Sequence, residues 1–212
     1  GNFLYALEAL SQSVEAQGKV YPVTMENTNL VAELQNGDII KTEEFIDNPK
    51  YNRGLKIKKV WLEPNCRAYA ESQKAIESAD CIILSPGSLY TSLIAALLPT
   101  GIKDAIDKNK KAKIIYVAGS AYRLDGETGP EKLSEIVLQM QKYLPRKIDL
   151  VIHNNHKLSK KQKEIYKTKN WGVFEFDKEN LKNNEIKSLD LEAADGGLSP
   201  DKLAGLFIKI LV

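Results

Sequence analysis

Hydroxyl-bearing side chains gather at one place in this chain, the run Ser85-Pro86-Gly87-Ser88-Leu89-Tyr90-Thr91-Ser92. Hydroxyls beside a glycine suit recognition of an anion, phosphate above all, when backbone N–H groups lie next to them. Gly87 has no side chain to block close approach, and Ser88, Thr91 and Ser92 supply donors. The flanking pattern places this cluster. Cys81-Ile82-Ile83-Leu84 is a short apolar run without alternation, which predicts a strand buried on both faces. Leu89, Leu93, Ala96 and Leu97 recur at helical spacing, so the chain passes from strand through a tight loop into a helix. Such a start leaves several N–H groups unpaired at the positive end of the helix dipole. A plainer reading stands beside it, with Ser88 as an N-cap and Pro86-Gly87 as a turn.

Other chemistry is sparse. His153 and His156 lie close together, but no third ligand is near, so they read as loop residues at a strand end and not as a zinc site. Cys81 falls in the apolar strand and Cys66 beside a helix, without metal spacing. Two structural thiols point to a reducing cytoplasm. Ser88 has no assured histidine partner, and neither histidine has an orienting carboxylate. No residue is assigned a catalytic role. The pattern indicates a binding site more readily than a reaction.

With 30 Lys and Arg against 28 Asp and Glu, the formal charge of +2 argues against general nucleic-acid binding, which needs a concentrated basic face. No apolar run approaches the roughly 20 residues of a membrane span, and Glu8 interrupts the only early apolar stretch, unlike a signal peptide. The 212 residues fit one α/β domain with an antiparallel excursion over about 28–54. The oligomeric state is left open, a homo-oligomer included.

Phe3, Leu4, Leu7, Leu10 and Val14 predict an amphipathic helix capped by Asn2, with no strand before it. A parallel sheet normally begins on a strand, so the chain is expected to be the later part of a longer one. Residues 19–23 read as a strand ending near Pro22, and the arms around Asn36-Gly37 as a hairpin. Residues 47–54 read as an exposed loop and 57–62 as a resumed strand. Further strands are expected at 114–117, 148–152, 172–176 and 186–191, with helices at 67–78, 130–144 and 160–167 and a last helix from Pro200 capped by Ser199. Strands alternating with helices imply a largely parallel sheet with right-handed crossovers. Loops at the carboxyl ends of such strands line the ligand crevice. Four segments are expected there: Thr24 to Asn27, Ser85 to Ser92, Arg123 to Glu127, and His153 to Asn155.

The succession of PVTMEN, then ADCIILSPGSLYTSLIAALLPTGIKDAI, then IDLVIHNN, then AADGGLSPDKLAGL resembles the gluconeogenesis-factor (YvcK-like) branch of the CofD-like superfamily. The resemblance runs along nearly all of the chain, most specifically at PGSLYTS. It implies a Rossmann-like three-layer α/β fold with a mostly parallel sheet. It further implies a UDP-sugar ligand, such as UDP-N-acetylglucosamine, and a regulatory role in carbon metabolism, cell-wall synthesis and cell shape. The related 2-phospho-L-lactate transferases move a phospholactyl group onto a deazaflavin with a divalent metal such as Mg. That transferase chemistry is one alternative, and a scaffold fragment without ligand is another. Carried over by position, the expected ligand-binding set is Asn2, Thr24, Glu26, Asn27, Pro86, Gly87, Ser88, Leu89, Tyr90, Thr91 and Asn154. Ser88, Thr91 and the backbone near Gly87 would hold a diphosphate, and Glu26 and Asn27 the sugar or ribose hydroxyls. The loop after Val117 departs from the family pattern, keeping only Gly126-Glu127-Thr128.

Overall fold

A computed structural model describes residues 2–211. The first helix, α1 (Phe3–Ser13), begins at Asn2, whose side chain accepts the N–H groups of Leu4 (3.1 Å) and Tyr5 (3.3 Å). None of its residues is buried. The expected strand at 19–23 does not form. Instead the carbonyls of Pro22 and Val23 accept Ser72 Oγ (2.6 Å) and the Tyr69 N–H (2.8 Å), so this segment lies along residues 67–72. Pro22 brings no N–H to a sheet, which favours such side-by-side fastening.

The hairpin forms as expected. Strands β1 (Asn29–Leu34) and β2 (Ile39–Lys41) flank Asn36-Gly37, where Gly37 takes φ of 92°. Helix α2 (Glu43–Asp47) follows. The next strand, β3 (Ile57–Glu63), forms where a resumed strand is expected at 57–62, but extends the antiparallel excursion beyond its expected end at about 54. It pairs antiparallel with β1 from Asn29↔Glu63 to Leu34↔Ile57, giving a three-stranded sheet in the order β2-β1-β3. The stretch 47–54 is likewise more than an exposed loop, because Tyr51 and Arg53 reach across to residues 125–128.

The second half alternates strand and helix. It runs α3 (Ala70–Ser78), β4 (Cys81–Leu84), a π-helical turn (Leu89–Ile94) continuing into α4 (Ala95–Leu97), α5 (Ile102–Lys108), β5 (Lys113–Val117), β6 (Tyr122–Arg123), α6 (Leu133–Gln141), β7 (Leu150–Asn154), α7 (Lys160–Thr168), β8 (Trp171–Gly172), β9 (Glu185–Leu189) and α8 (Pro200–Leu211). Strands β4, β5, β7 and β9 form one parallel sheet in that order. The placement of β4 is a second correction: among the described residues it lies at the end of this sheet, and Ile83 is 43% exposed where burial on both faces was expected. Burial on both faces belongs to β5 and β7. Ile114, Tyr116 and Val151 face a core shared with Leu133, Ile136 and Met140 of α6. Ile115, Val117, Leu150 and Ile152 face Leu206 and Phe207 of α8. Helices thus cover the parallel sheet on both sides, the three-layer α/β arrangement. No helix among the described residues is long and apolar enough to cross a membrane.

Candidate functional site

The chain leaves β4 through Ser85, Pro86 and Gly87 and turns into the helical segment at Leu89. Tyr90 is fully buried, and its hydroxyl donates to the Ile57 carbonyl at 3.1 Å, which ties this segment to β3. The first-turn amides are not free. Both Glu127 carboxylate oxygens accept the Tyr90 N–H (3.0 and 3.1 Å), and one accepts the Thr91 N–H at 3.0 Å. This corrects the expectation of unpaired donors at Tyr90 and Thr91. A carboxylate from a loop 36 residues downstream in sequence occupies the place expected for an anion. Burial pushes the Glu127 carboxyl up from its ordinary value, against the pull of the Tyr90 and Thr91 amides, and the nearby Asp47 pushes the same way.

The donors that remain lie three residues earlier, at Gly87 and Ser88. Among the described residues, no acceptor meets the N–H of Gly87 or Ser88. Gly87 is exposed and Ser88 half-buried, so both amides can be reached from solvent. Both residues line a cavity of about 570 Å³, with Pro86 and Leu89 beside them and the stretches 119–124 and 126–131 on another side. Asp47, Arg53 and Lys56 contribute from the antiparallel part, and Trp171, Phe174 and Leu198 from the far wall.

Charged side chains on this lining are paired off. Arg123 bridges Asp47 at 2.8 Å and Asp125 at 3.3 Å, and donates to Asn48 Oδ1 at 3.1 Å. Arg53 donates to the carbonyls of Asp125 (3.1 Å) and Gly126 (2.9 Å). Lys56 meets Glu131 at 3.3 Å. These ties, with the Tyr51–Thr128 hydroxyl contact at 2.9 Å, stitch the loop after β5 to the antiparallel sheet and fix one wall of the cavity.

Of the expected ligand-binding residues, Pro86, Gly87, Ser88 and Leu89 line the cavity. Tyr90 and Thr91 stand just behind it, held through Ile57, Glu127 and Asp47. Asn154 lies one layer back, donating to Ser120 Oγ on the lining (2.8 Å) and to Glu192 Oε2 (2.5 Å), and accepting the N–H of Leu191 at 2.9 Å. Thr24, Glu26 and Asn27 are not on the lining. Thr24 donates to the Arg67 carbonyl at 2.7 Å, and Glu26 accepts the Arg67 N–H at 3.3 Å. Their expected place on the sheet rim fails with the absent strand at 19–23. Asn2 serves as the cap of α1, also off the lining.

Residues that pattern alone did not single out are Asp47, Arg53 and Lys56, which a chain-order reading leaves in a loop, and Trp171 and Phe174. The divalent metal of the transferase alternative finds no ready ligand set. Among the described residues no group of three His, Cys, Asp or Glu side chains is gathered to hold one.

Residues 1–193 match the family described as 2-phospho-L-lactate transferase CofD. The chain belongs to the CofD family. Two curated relatives carry the name "Putative gluconeogenesis factor". The one from Thermotoga maritima is 37% identical over 183 residues, covering 86% of this chain and 56% of the relative. The one from Clostridium acetobutylicum is 36% identical over 197 residues, covering 92% and 42%. This CofD-family chain thus spans about half the length of the curated relatives it matches. A crystal structure of a Bacillus halodurans protein superposes with a TM-score of 0.81 at 26% identity, over 95% of this chain and 65% of that one. The structural match extends over both the antiparallel and the parallel parts.

Proposed function

We propose that the cavity binds a nucleotide-linked sugar, a UDP-sugar such as UDP-N-acetylglucosamine, and that the protein acts as a cytoplasmic regulator of carbon metabolism and cell-wall synthesis and not as a catalyst. The observation that carries this reading is the pair of unpartnered N–H groups at Gly87 and Ser88, two residues that line the cavity beside the carboxyl end of a parallel strand. Oriented backbone donors of this kind suit a phosphate. The cavity volume of about 570 Å³ fits the range of roughly 300–1,000 Å³ typical of small-molecule sites. In this reading the diphosphate rests on the Gly87 and Ser88 amides and the Ser88 hydroxyl, with Arg53, Lys56 and Arg123 as the cations on the lining. Kinship with relatives named for gluconeogenesis supports the regulatory half.

Ser88 offers a clean test, because its φ of −58° already suits proline. Ser88→Pro deletes one amide donor, whereas Ser88→Ala deletes only the hydroxyl. A hydrogen bond to a charged group is worth about 1.5–3 kcal/mol. Calorimetry with UDP-N-acetylglucosamine should show Ser88→Pro at least about tenfold weaker than Ser88→Ala. Equal affinities for the two variants would remove the amide from the site, and no heat with the unaltered protein would reject the reading.

A further inference from the structure

We infer that the outer face of helix α7, a row of Lys160, Lys163 and Lys167 with Lys157 and Lys161 at its start, docks an acidic segment of a partner protein. The surface lies outside the cavity and does not depend on what the cavity binds.

The near balance of charge over the whole chain hides a local excess. Residues 157–169 carry six lysines against one acidic residue, Glu164. Helical geometry sorts them. Gln162 and Tyr166 are buried and Ile165 is half-buried, so that side of α7 faces the protein. Lys160, Lys163 and Lys167 stand three and four residues apart on the other side, a row about 10 Å long. Lys157, Lys160, Lys161, Lys163 and Lys167 are all exposed, and among the described residues none of them enters an ion pair. Elsewhere Lys41, Lys58, Lys74, Lys108 and Lys202 each meet a carboxylate at 3.0 Å or less.

The arrangement works against the helix that carries it. Its first turn holds Lys160 and Lys161 and no acidic residue, the unfavourable sign for the positive end of the helix dipole. Lys160 repels Lys163, and Lys163 repels Lys167. The Ser159–Gln162 capping box and the Tyr166 hydroxyl on Glu192 (2.6 Å) hold α7 in place regardless. Carboxylates laid along the row would relieve both the repulsion and the mismatch with the dipole.

The chemistry of the face selects among anionic partners. Leu158, Ile165 and Tyr166 are buried or half-buried, so the row offers a lipid surface no apolar side chain to insert. Tyr166 is the one aromatic of α7 and is turned inward, which leaves no ring for a nucleic-acid base to stack on. No arginine follows Arg146 in the sequence, so the guanidinium fork suited to phosphate is missing as well. Ammonium groups on flexible stems meet separate carboxylates without a fixed geometry, and together they steer an acidic chain from a distance. None of residues 157–169 lines the cavity, although Tyr166 packs edge-on at 5.3 Å against Trp171, which does. Partner and cavity ligand therefore need not compete.

The test uses the full chain with three probes: a short fluorescent oligoglutamate, an oligoadenylate RNA of the same length, and vesicles of phosphatidylserine and phosphatidylcholine. Oligoglutamate is expected to bind most tightly of the three by anisotropy or sedimentation, with an affinity that falls as salt rises. Lys160→Gln, Lys163→Gln and Lys167→Gln combined should weaken it at least about tenfold. A control combining Lys111→Gln, Lys178→Gln and Lys182→Gln removes equal charge from exposed lysines elsewhere and should weaken it far less. Equal losses in the two triple variants would reduce the effect to net charge and overturn the inference, as would an oligoglutamate that does not bind the unaltered protein. Tighter binding of the RNA or of the vesicles, lost with the α7 lysines, would give the face to that class and overturn it too. The α7 triple variant should melt no lower than the parent, since it removes repulsion. Should it fail to fold, Lys163→Gln alone and the ranking of the three probes on the unaltered protein still decide.

Discussion

The Glu127 carboxylate accepts the Tyr90 N–H through both of its oxygens, at 3.0 and 3.1 Å, and so caps from afar the helical segment that follows β4. A side chain from the loop after β5 thereby does what a local N-cap would do, while Ser88 makes no side-chain cap. The same contact pins the loop that forms a cavity wall.

Removing this cap should be costly. Glu127→Ala leaves the N–H groups of Tyr90 and Thr91 without their acceptor in a partly buried setting, an expected loss of roughly 1–3 kcal/mol. Glu127→Gln keeps one acceptor oxygen and should lose less. Urea midpoints measure both, and two variants as stable as the parent would show the contact to be dispensable.

The same carboxyl sets a pH dependence. Burial holds its proton in the folded chain to a higher pH than the ordinary 4.5. The folded state therefore binds more protons than the unfolded state in the window above 4.5, and stability from this group falls as pH rises through that window. Glu127→Gln cannot titrate. The stability of the parent relative to Glu127→Gln should decline as pH rises above about 4.5, as read from urea unfolding at several pH values. A difference that grows with pH would contradict the assignment.

Tyr90→Phe isolates the tie between the helical segment after β4 and strand β3. The hydroxyl is fully buried and donates to Ile57 at 3.1 Å, and burial pushes its phenol well above the ordinary range. Its removal should cost about 1–2 kcal/mol in a urea titration. A shift within error would mean that the Ile57 carbonyl is served equally well without it.

Much of the scaffold could be read from local pattern. The apolar runs at 114–117 and 148–152 announce buried parallel strands, Asn36-Gly37 announces its hairpin, and Ser159 with Gln162 forms a full capping box on α7. Ser199 before Pro200 marks the last helix, its hydroxyl meeting the Lys202 N–H at 3.4 Å. These signals act within a few residues of one another. The misreadings arise from partners far apart in sequence. The apolar residues of β3 suit either sheet, and only pairing with β1 decides. The run Cys81–Leu84 has the composition of a central strand, yet among the described residues it pairs on one side alone, with β5. At the site, Gly87 and Ser88 were visible as a glycine and a hydroxyl in the right place. The pairing of the Tyr90 and Thr91 amides with Glu127 was not, because a carboxylate in a loop carries no mark of what it will cap.

Glu192 shows how far the cavity's support extends. Its carboxylate takes the Tyr166 hydroxyl at 2.6 Å, the Gly197 N–H at 2.9 Å and the Asn154 side chain, while Asn154 holds Ser120 on the lining. Strand β7, helix α7 and the turn before α8 thus converge on a single knot with no spare threads. A replacement at Gly197 that displaces Glu192 is therefore expected to loosen Asn154 and, through it, Ser120 on the cavity lining.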